Sequence, residues 1–215
     1  MTPSVARVAI AGATGLVGRH LLDAICDDAA SDDVVVFTRR PTHRAADPNV
    51  LEVALDASPP HALDAAFCAL GTTIKAAGSQ ETFRAIDHAL VLDFAARVKA
   101  AGARQFHVVS ALGAGVDSSV FYNRVKGEME RDLRNLGFER LHIYQPSLLM
   151  GERSESRRAE RAGIAVAKLL APIIPAKWRG IGPATVARAM WSTARAERAA
   201  GAHVVSNAEM MQLGA

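Results

Sequence analysis

Three side chains near the middle of the sequence have the chemistry needed to move a proton. Tyr122 and Lys126 stand one helical turn apart in a segment with helical character, so the phenol and the ammonium share a helical face. A phenol has a reference pKa of about 10, and a nearby ammonium favours its ionised form. Ser110 follows an apolar run and supplies a hydroxyl. The set predicts that Tyr122 gives a proton to a carbonyl oxygen, that Ser110 holds this oxygen, and that Lys126 tunes the phenol.

These side chains need a strand and a helix to position them. The run over 105–110 predicts a strand with Ser110 at its carboxyl end, the edge where ligands bind in open parallel sheets. Residues 111–119 are small and rich in glycine and predict a loop at the site, and a helix is predicted over 121–136. The alternative is a surface tyrosine packed against the stem of a lysine. The position of Ser110 at the end of the preceding strand favours the proton-transfer interpretation over this alternative.

A glycine-rich turn lies at the other end of the predicted site. Apolar residues over 5–11 predict a buried strand, and a helix with an apolar face is predicted from Leu16 onward. Between them Gly12 permits a tight turn, Gly15 admits a pyrophosphate close to the backbone, and Gly18 lets the helix pack closely. The alternative is an ordinary glycine turn before a helix. The strand and the helix that the motif requires are both predicted, which favours phosphate binding.

The residues after the second predicted strand indicate which dinucleotide binds. Residues 34–37 form an uninterrupted β-branched and aromatic run, typical of a central parallel strand. Proteins that bind NAD have an acidic residue near the end of this strand, whereas this chain has Arg39 and Arg40. Guanidinium groups bind a 2′-phosphate with charge-assisted hydrogen bonds, so the sequence predicts NADP(H). The alternative is a solvated arginine loop before Pro41.

Two further strands carry residues that are predicted to contact the nucleotide. The strand over 50–55 ends at Asp56, which either lies at the rim of the adenine site or caps a helix. The strand over 66–70 breaks at Gly71-Thr72-Thr73, whose small residues leave room for the nucleotide at the carboxyl edge. Thr72 and Thr73 are predicted to bind phosphate or ribose.

The rest of the chain alternates predicted helices and strands. A long core-facing helix is predicted over 79–101, with Asp87 and His88 as polar positions on its edge. A strand over 141–146 brings Pro146 to the nicotinamide side. The last predicted elements are a helix over 164–170, a helix over 183–196 and a strand over 203–205. This alternation predicts an α/β fold, a doubly wound parallel sheet of six or seven strands with a small C-terminal substrate-side region.

Length and composition narrow the class of protein. A chain of 215 residues is expected to form one domain, in which 147–182 is the substrate-side loop and helix region. The longest apolar runs fall short of the ~20 residues that span a bilayer, and the N-terminus lacks a basic segment followed by an apolar one. The two cysteines form no zinc or disulfide pattern, which predicts a cytoplasmic protein without a metal site. The net charge of +3 is small and the arginine clusters lack interleaved aromatic residues, so nucleic acid is not an expected partner.

Several motifs together resemble the short-chain dehydrogenase/reductase superfamily. They are Gly12-Ala13-Thr14-Gly15-Leu16-Val17-Gly18, Ser110, and Tyr122-Asn123-Arg124-Val125-Lys126. Further motifs are similar to an atypical subgroup, the Tat-interacting oxidoreductase-like proteins. These are Leu70-Gly71-Thr72-Thr73, Val109-Ser110-Ala111, Lys126-Gly127-Glu128, Gln145-Pro146-Ser147 and Glu152-Arg153. The similarity spans nearly the whole chain.

The resemblance implies a Rossmann fold that binds NADP(H). By that resemblance the cofactor is contacted by Gly12, Thr14, Gly15, Leu16, Val17, Arg39, Tyr122 and Lys126. The predicted cofactor site is completed by Arg40, Asp56, Leu70, Gly71, Thr72 and Pro146. The chain departs from classical members at residues 70–73, where they have an Asn-Ala-Gly turn. It also has no obvious counterpart of the helix asparagine in their catalytic set.

Three functions are compatible with these expectations. The first is NADPH-dependent reduction of a small carbonyl compound, with Tyr122 as the proton donor. The second is an NADPH-binding regulatory or sensor protein with little turnover, whose output is a protein contact. The third is a sugar-nucleotide epimerase or dehydratase, which is disfavoured because such enzymes carry a much larger C-terminal region. The expected ligand is a small-molecule substrate, membranes are not expected partners, and a homodimer or a regulatory protein partner stays open.

Overall fold

Seven strands of the described chain form one sheet in which all neighbouring strands are parallel. The computed structural model describes residues 5–29, 31, 33–150, 175, 178–196 and 199–215. The strands are β1 (Arg7–Ala11), β2 (Asp33–Thr38), β3 (Val50–Ala54), β4 (Ala65–Cys68), β5 (Gln105–Val109), β6 (Arg140–Gln145) and β7 (Gly201–Ser206). They lie in the order β3-β2-β1-β4-β5-β6-β7. The doubly wound parallel sheet predicted from the sequence is confirmed.

Side chains on the central strands are apolar on both faces of the sheet. In β1, Val8 and Ile10 enter the core on one face, while Ala9 and Ala11 enter the core on the other. All four are fully buried. A parallel strand covered by helices on both sides needs apolar residues at every position, which explains the uninterrupted apolar runs in the sequence.

Helices cover both faces of the sheet. They are α1 (Leu16–Cys26), α2 (Ile74–Ala77), α3 (Gln80–Arg84), α4 (Leu90–Ala100), α5 (Phe121–Asn135), α6 (Pro183–Arg195) and α7 (Asn207–Leu213). Apolar residues of α1, α6 and α7 join the core on one face, and those of α4 and α5 join the core on the other. Each face of the sheet is therefore closed by helices from different parts of the chain.

Three elements differ from the prediction, and the first is the short helix α2 (Ile74–Ala77), which was not predicted. The long helix expected over 79–101 is interrupted, because a π-helical turn (Ala85–Ala89) joins α3 to α4. The helix α7 was not predicted, although Ser206 and Glu209 form a capping box at its start. The predicted helix over 164–170 and residues 151–174 of the substrate-side region lie outside the described residues.

The strand order creates a crevice at the carboxyl edge of the sheet. The chain runs from β1 outward to β2 and β3 and then crosses to β4, on the other side of β1. Open α/β sheets bind ligands at the point where the strand order reverses in this way. The glycine turn follows β1, residues 71–73 follow β4, and Ser110 follows β5. The fold thus brings the predicted site segments to one edge.

The two cysteines are free thiols. Cys26 is half-buried and Cys68 is buried at the end of β4. Burial raises the pKa of the Cys68 thiol to about 12, so it stays protonated and unreactive at neutral pH. The helices in the described part of the chain are all too short or too polar to cross a membrane.

Candidate functional site

The glycine turn after β1 is shaped by close backbone contacts. Gly12 has a φ of +87°, which L side chains rarely adopt, and a Cβ there would lie 2.5 Å from the carbonyl carbon of Ala69. A Cβ on Gly18 would collide with the carbonyl oxygen of Gly12. The Gly15 amide donates to that same oxygen at 3.0 Å. Gly12 and Gly18 are therefore required for the turn itself, and Gly18 packs on the turn rather than on the sheet.

A cavity of about 510 Å³ opens at the N-terminus of α1. Gly15 is the N-cap residue of this helix, and no described side chain caps it. The first-turn amides are left to a ligand, and anions bind well at such positions. The cavity is lined by Thr14, Gly15, Leu16, Val17, Arg19, Arg40, Ala69, Leu70, Gly71, Thr72, Asp87, Val109, Ser110, Tyr122, Lys126 and Leu149. An uncapped helix start and arginine side chains fit the phosphates of a dinucleotide.

The residues predicted to recognise the adenosine end are only partly brought together. Arg40 lines the cavity and is joined by Arg19 of α1, which the sequence analysis missed. Of the described residues predicted to bind cofactor, Gly12, Arg39 and Asp56 line neither this cavity nor the next one. Residues 57–64 after Asp56 are irregular, so the idea that it caps a helix is wrong.

A second cavity of about 540 Å³ lies next to the first, on the side predicted to receive the substrate. It is lined by Leu16, Thr72, Thr73, Ile74, Ser110, Ala111, Tyr122, Pro146, Ser147, Leu148 and Leu149. The side chains shared by the two cavities are Leu16, Thr72, Ser110, Tyr122 and Leu149. Tyr122, predicted from its spacing to Lys126, and Ser110, predicted from its place at the end of a strand, therefore lie where the two cavities meet. Pro146 lines the second cavity only.

Lys126 forms a buried ion pair with Asp87. The distance from Lys126 Nζ to Asp87 Oδ1 is 2.8 Å, and only 4% and 1% of the two side chains are exposed. The other carboxylate oxygen accepts from the Thr72 amide at 2.9 Å. Burial by itself would lower the pKa of Lys126, but the charges of Asp87 and Tyr122 outweigh it and leave the pKa raised. The prediction that Asp87 is a polar position on the edge of a helix is wrong.

The π-helical turn places Asp87 against α5. His88 of the same turn lies 2.8 Å from a carboxylate oxygen of Asp132, and Arg84 pairs with Glu128 at 2.5 Å. These contacts hold the turn beside the helix that carries Lys126. His88 is half-buried and paired with Asp132, so it keeps a polar position on the edge of the helical segment.

Ser110 is hydrogen-bonded to a second buried carboxylate. Its hydroxyl donates to Glu130 Oε1 at 2.5 Å, and 4% of each residue is exposed. Gln145 Nε2 also donates to the two oxygens of Glu130, at 2.9 and 3.2 Å. Ser110 therefore has a partner behind the cavity, whereas the sequence prediction has its hydroxyl hold a substrate carbonyl oxygen.

Sequence reasoning missed three charged residues at this site: Arg19, Asp87 and Glu130. A signal existed for Glu130, which stands one turn after Lys126 and so shares the face of Tyr122. Arg19 directly follows the last glycine of the turn, in the first turns of α1. In the described chain, no group of three His, Cys, Asp or Glu residues is arranged to hold a metal ion.

Comparison with known proteins agrees with this geometry. A family model described as NAD(P)H-binding matches residues 12–165. Protein fmp52, mitochondrial, of Aspergillus fumigatus is 36% identical over 170 residues, which cover 74% of this chain and 73% of that protein. HTATIP2 of Rattus norvegicus is 31% identical over 219 residues, which cover 96% of this chain and 88% of that protein.

Among solved structures, the human epimerase family protein SDR39U1 (isoform 2) with NADPH has a TM-score of 0.65. The match covers 97% of this chain and 80% of that chain at 15% identity. At this identity the likeness shows the fold, which is Rossmann-like.

The fungal fmp52 relatives are named mitochondrial. This finding contradicts the cytoplasmic location expected from the sequence. The expectation was based on the absence of a disulfide pattern. That feature argues against an oxidising compartment and does not choose among the reducing ones.

Proposed function

Because the chain belongs to the NAD(P)H-binding family and, within it, to the atypical short-chain dehydrogenases/reductases, we propose that it is an NADPH-dependent oxidoreductase that reduces a small carbonyl compound. The observation that carries the proposal is the position of Tyr122. Its side chain lines both the cavity at the glycine turn and the cavity on the substrate side. A proton donor at this junction can reach a substrate held next to a nicotinamide.

The residues of the first cavity support NADP(H) as the cofactor. The N-terminus of α1 at Gly15 would hold the pyrophosphate, and Arg19 with Arg40 would hold the 2′-phosphate. Thr38, at the end of β2, accepts a hydrogen bond from the Arg40 amide and donates to its carbonyl, which orders the backbone there. When bound, the reduced nicotinamide supplies a hydride.

The protein residues supply the proton and the position of the substrate. We assign Tyr122 as the proton donor to the substrate oxygen, since its phenol lies at the junction of the cavities. Lys126 stands one turn further along α5 and adds positive charge on the same face. Leu149 and Pro146 line the substrate side and exclude water from the reacting groups.

A second candidate function is an NADPH-binding regulatory protein with little turnover. The ion pair between Lys126 and Asp87 favours it. The carboxylate offsets the charge with which the ammonium would otherwise stabilise a phenolate at Tyr122. A site in which Asp87 offsets the charge of Lys126 holds a cofactor but promotes proton transfer from Tyr122 less.

Replacement of one phenol tests which candidate is right. Tyr122→Phe should leave NADPH affinity within about twofold and abolish NADPH oxidation with whichever aldehyde, ketone or quinone the wild type reduces, because only the hydroxyl is lost. Tyr144→Phe is the matched control, since the other tyrosine is buried and its hydroxyl lies 3.0 Å from His107 Nδ1. It should retain turnover.

The outcomes separate the candidates. A wild type that binds NADPH and oxidises it with no member of the panel supports the regulatory protein and contradicts the reductase. A Tyr122→Phe variant that keeps the full wild-type rate shows that the proton comes from another group.

A further inference from the structure

The hydroxyl of Ser110 donates away from the cavity. Ser110 lines both cavities, yet its hydrogen is directed to Glu130 Oε1 at 2.5 Å. The Ser110 amide donates to the carbonyl oxygen of Tyr144 at 2.7 Å, which fixes the residue at the end of β5. A serine hydroxyl has one hydrogen to donate and two lone pairs that accept. Only the accepting lone pairs are left for a ligand.

The surroundings of Glu130 keep this hydrogen bond in one direction. Gln145 Nε2 donates to both carboxylate oxygens, at 2.9 and 3.2 Å, and the Arg134 guanidinium lies 3.6 Å from Oε2. These neighbours are donors, and an ionised carboxylate can only accept. Glu130 is thus surrounded by donors, and its position behind the serine is fixed from two sides.

We propose that Glu130 is a positioning residue that makes Ser110 a hydrogen-bond acceptor, so that the substrate cavity selects hydroxy ketones and hydroxy aldehydes over plain carbonyl compounds. This inference rests on the proposed reductase function and names its substrate class. A plain carbonyl oxygen beside Ser110 would bring lone pairs against lone pairs. A hydroxyl next to the carbonyl donates to Ser110 and leaves the carbonyl oxygen for Tyr122.

Binding measurements test the inference without requiring turnover. The full chain, saturated with NADP⁺, is titrated in a calorimeter with 2-hydroxyacetophenone and with acetophenone. The two ketones differ by one hydroxyl and suit a largely apolar cavity wall that includes Leu149 and Ala111. The absorbance of the cofactor checks that no reaction occurs. We expect the hydroxy ketone to bind about tenfold more tightly, as one added hydrogen bond to a buried acceptor allows.

Three variants assign the preference to the pair of residues. Glu130→Met keeps the length of the side chain and removes the acceptor, so the Ser110 hydrogen is released and the ratio of the two affinities should fall to about twofold or less. Ser110→Ala should lower the ratio to the same extent, and it serves if Glu130→Met fails to fold. Glu128→Met is the matched control on the same helix, since that carboxylate pairs with Arg84, and it should keep the wild-type ratio.

The ratio distinguishes a positioning role from a merely structural one, which would change both affinities together. Equal affinities in the wild type, binding of neither ketone, or a ratio that survives Glu130→Met or Ser110→Ala would overturn the inference. Failure of the proposed function is seen separately, as an absence of NADPH oxidation with every carbonyl while the preference in binding remains.

Discussion

Replacing Asp87 by asparagine measures what the buried negative charge of Asp87, which the sequence analysis missed, contributes to stability. The substitution keeps the size of the side chain and removes the partner of Lys126. The carboxylate uses one oxygen for Lys126 and the other for the Thr72 amide. An amide has only one oxygen, so one of these two donors must face an NH₂ group instead. Asp87→Asn therefore leaves a buried ammonium or a buried amide unpaired.

The expected loss of stability follows from the burial of the pair. Only 4% of the Lys126 side chain and 1% of the Asp87 side chain are exposed, so water cannot replace the missing charge. Removing one partner of such a pair costs about 3–5 kcal/mol. We expect Asp87→Asn to lower the free energy of unfolding by about this amount at neutral pH. Asp93 on α4 provides the control, because its carboxylate is 58% exposed and its partner Arg97 keeps the Leu55 and Ala57 carbonyls as acceptors, so Asp93→Asn should cost about 0.5 kcal/mol or less.

The loss should depend on pH in a defined direction. In the wild type the pKa of Lys126 is raised above its ordinary value of 10.5, so its stabilising contribution is fully present below that pH and is lost as the pH rises through the folded pKa. Without Asp87 the effect of burial dominates, and we expect the pKa of Lys126 in the folded variant to lie below that of the unfolded chain. The variant then gains stability as the pH rises toward about 10.

Urea denaturation at neutral pH and at about pH 10, for the wild type, Asp87→Asn and Asp93→Asn, measures both effects. The gap between wild type and Asp87→Asn should be wide at neutral pH and narrower at the higher pH. A gap no larger than that of Asp93→Asn would show that the buried pair contributes little. A gap that widens with pH would show that the sign of the argument is wrong.

Two further substitutions test the cofactor cavity. Arg40→Ala should weaken NADPH binding by about ten- to a hundredfold, with little change in NADH binding. Arg39→Ala is the control, because Arg39 is exposed and lies outside the cavity, and it should leave both affinities unchanged. Fluorescence titration measures the affinity of each variant for each cofactor. Gly18→Ala should lower the free energy of unfolding by about 1–3 kcal/mol in a denaturation experiment, because its Cβ collides with the Gly12 carbonyl. Gly115→Ala is the control and should be nearly neutral, since a Cβ there meets no atom within 4 Å.

The sheet and the glycine turn could be predicted because their signals are local. Residues 8–11 of β1, 34–37 of β2 and 65–68 of β4 are unbroken apolar runs, which in a parallel sheet reflect burial on both faces. The turn needs glycine at Gly12 for a positive φ and at Gly18 for a close approach, and both requirements act within seven residues of sequence. Helix α7 was missed because it is short and follows β7 without a break.

The burial of Asp87 was missed because the apolar side chains of this segment also follow a helical spacing. That spacing includes Ile86 and Leu90, but both are half-buried. The fully buried residues at these turns are Asp87 and Val91, one position later in each case. A π-helical turn takes more than four residues, so the buried position inside it moves from Ile86 to Asp87, while Phe94 further along is buried. Such a turn has no sequence signal as clear as a glycine or a proline.

The burial of Glu130 depends on distant parts of the chain. On a charged helix such as α5, a glutamate is usually solvated, and its partners Ser110 and Gln145 lie on β5 and β6 or just beyond them. Their approach is set by the strand order rather than by the sequence around the helix. Spacing therefore identified Tyr122 and Lys126 but could not reveal that Asp87 would pair with Lys126 or that Glu130 would accept from Ser110.

Gly71 connects the cofactor cavity with the buried ion pair. A Cβ at this position would lie 3.2 Å from Asp87 Oδ1 and 3.9 Å from Lys126 Nζ, so the absence of a side chain leaves room for the pair beneath the turn. Gly71 and Thr72 also line the cavity at the glycine turn. A nucleotide that enters there would lie against the same backbone whose Thr72 amide holds Asp87. One backbone segment, Gly71 and Thr72, therefore borders both the cavity and the buried ion pair.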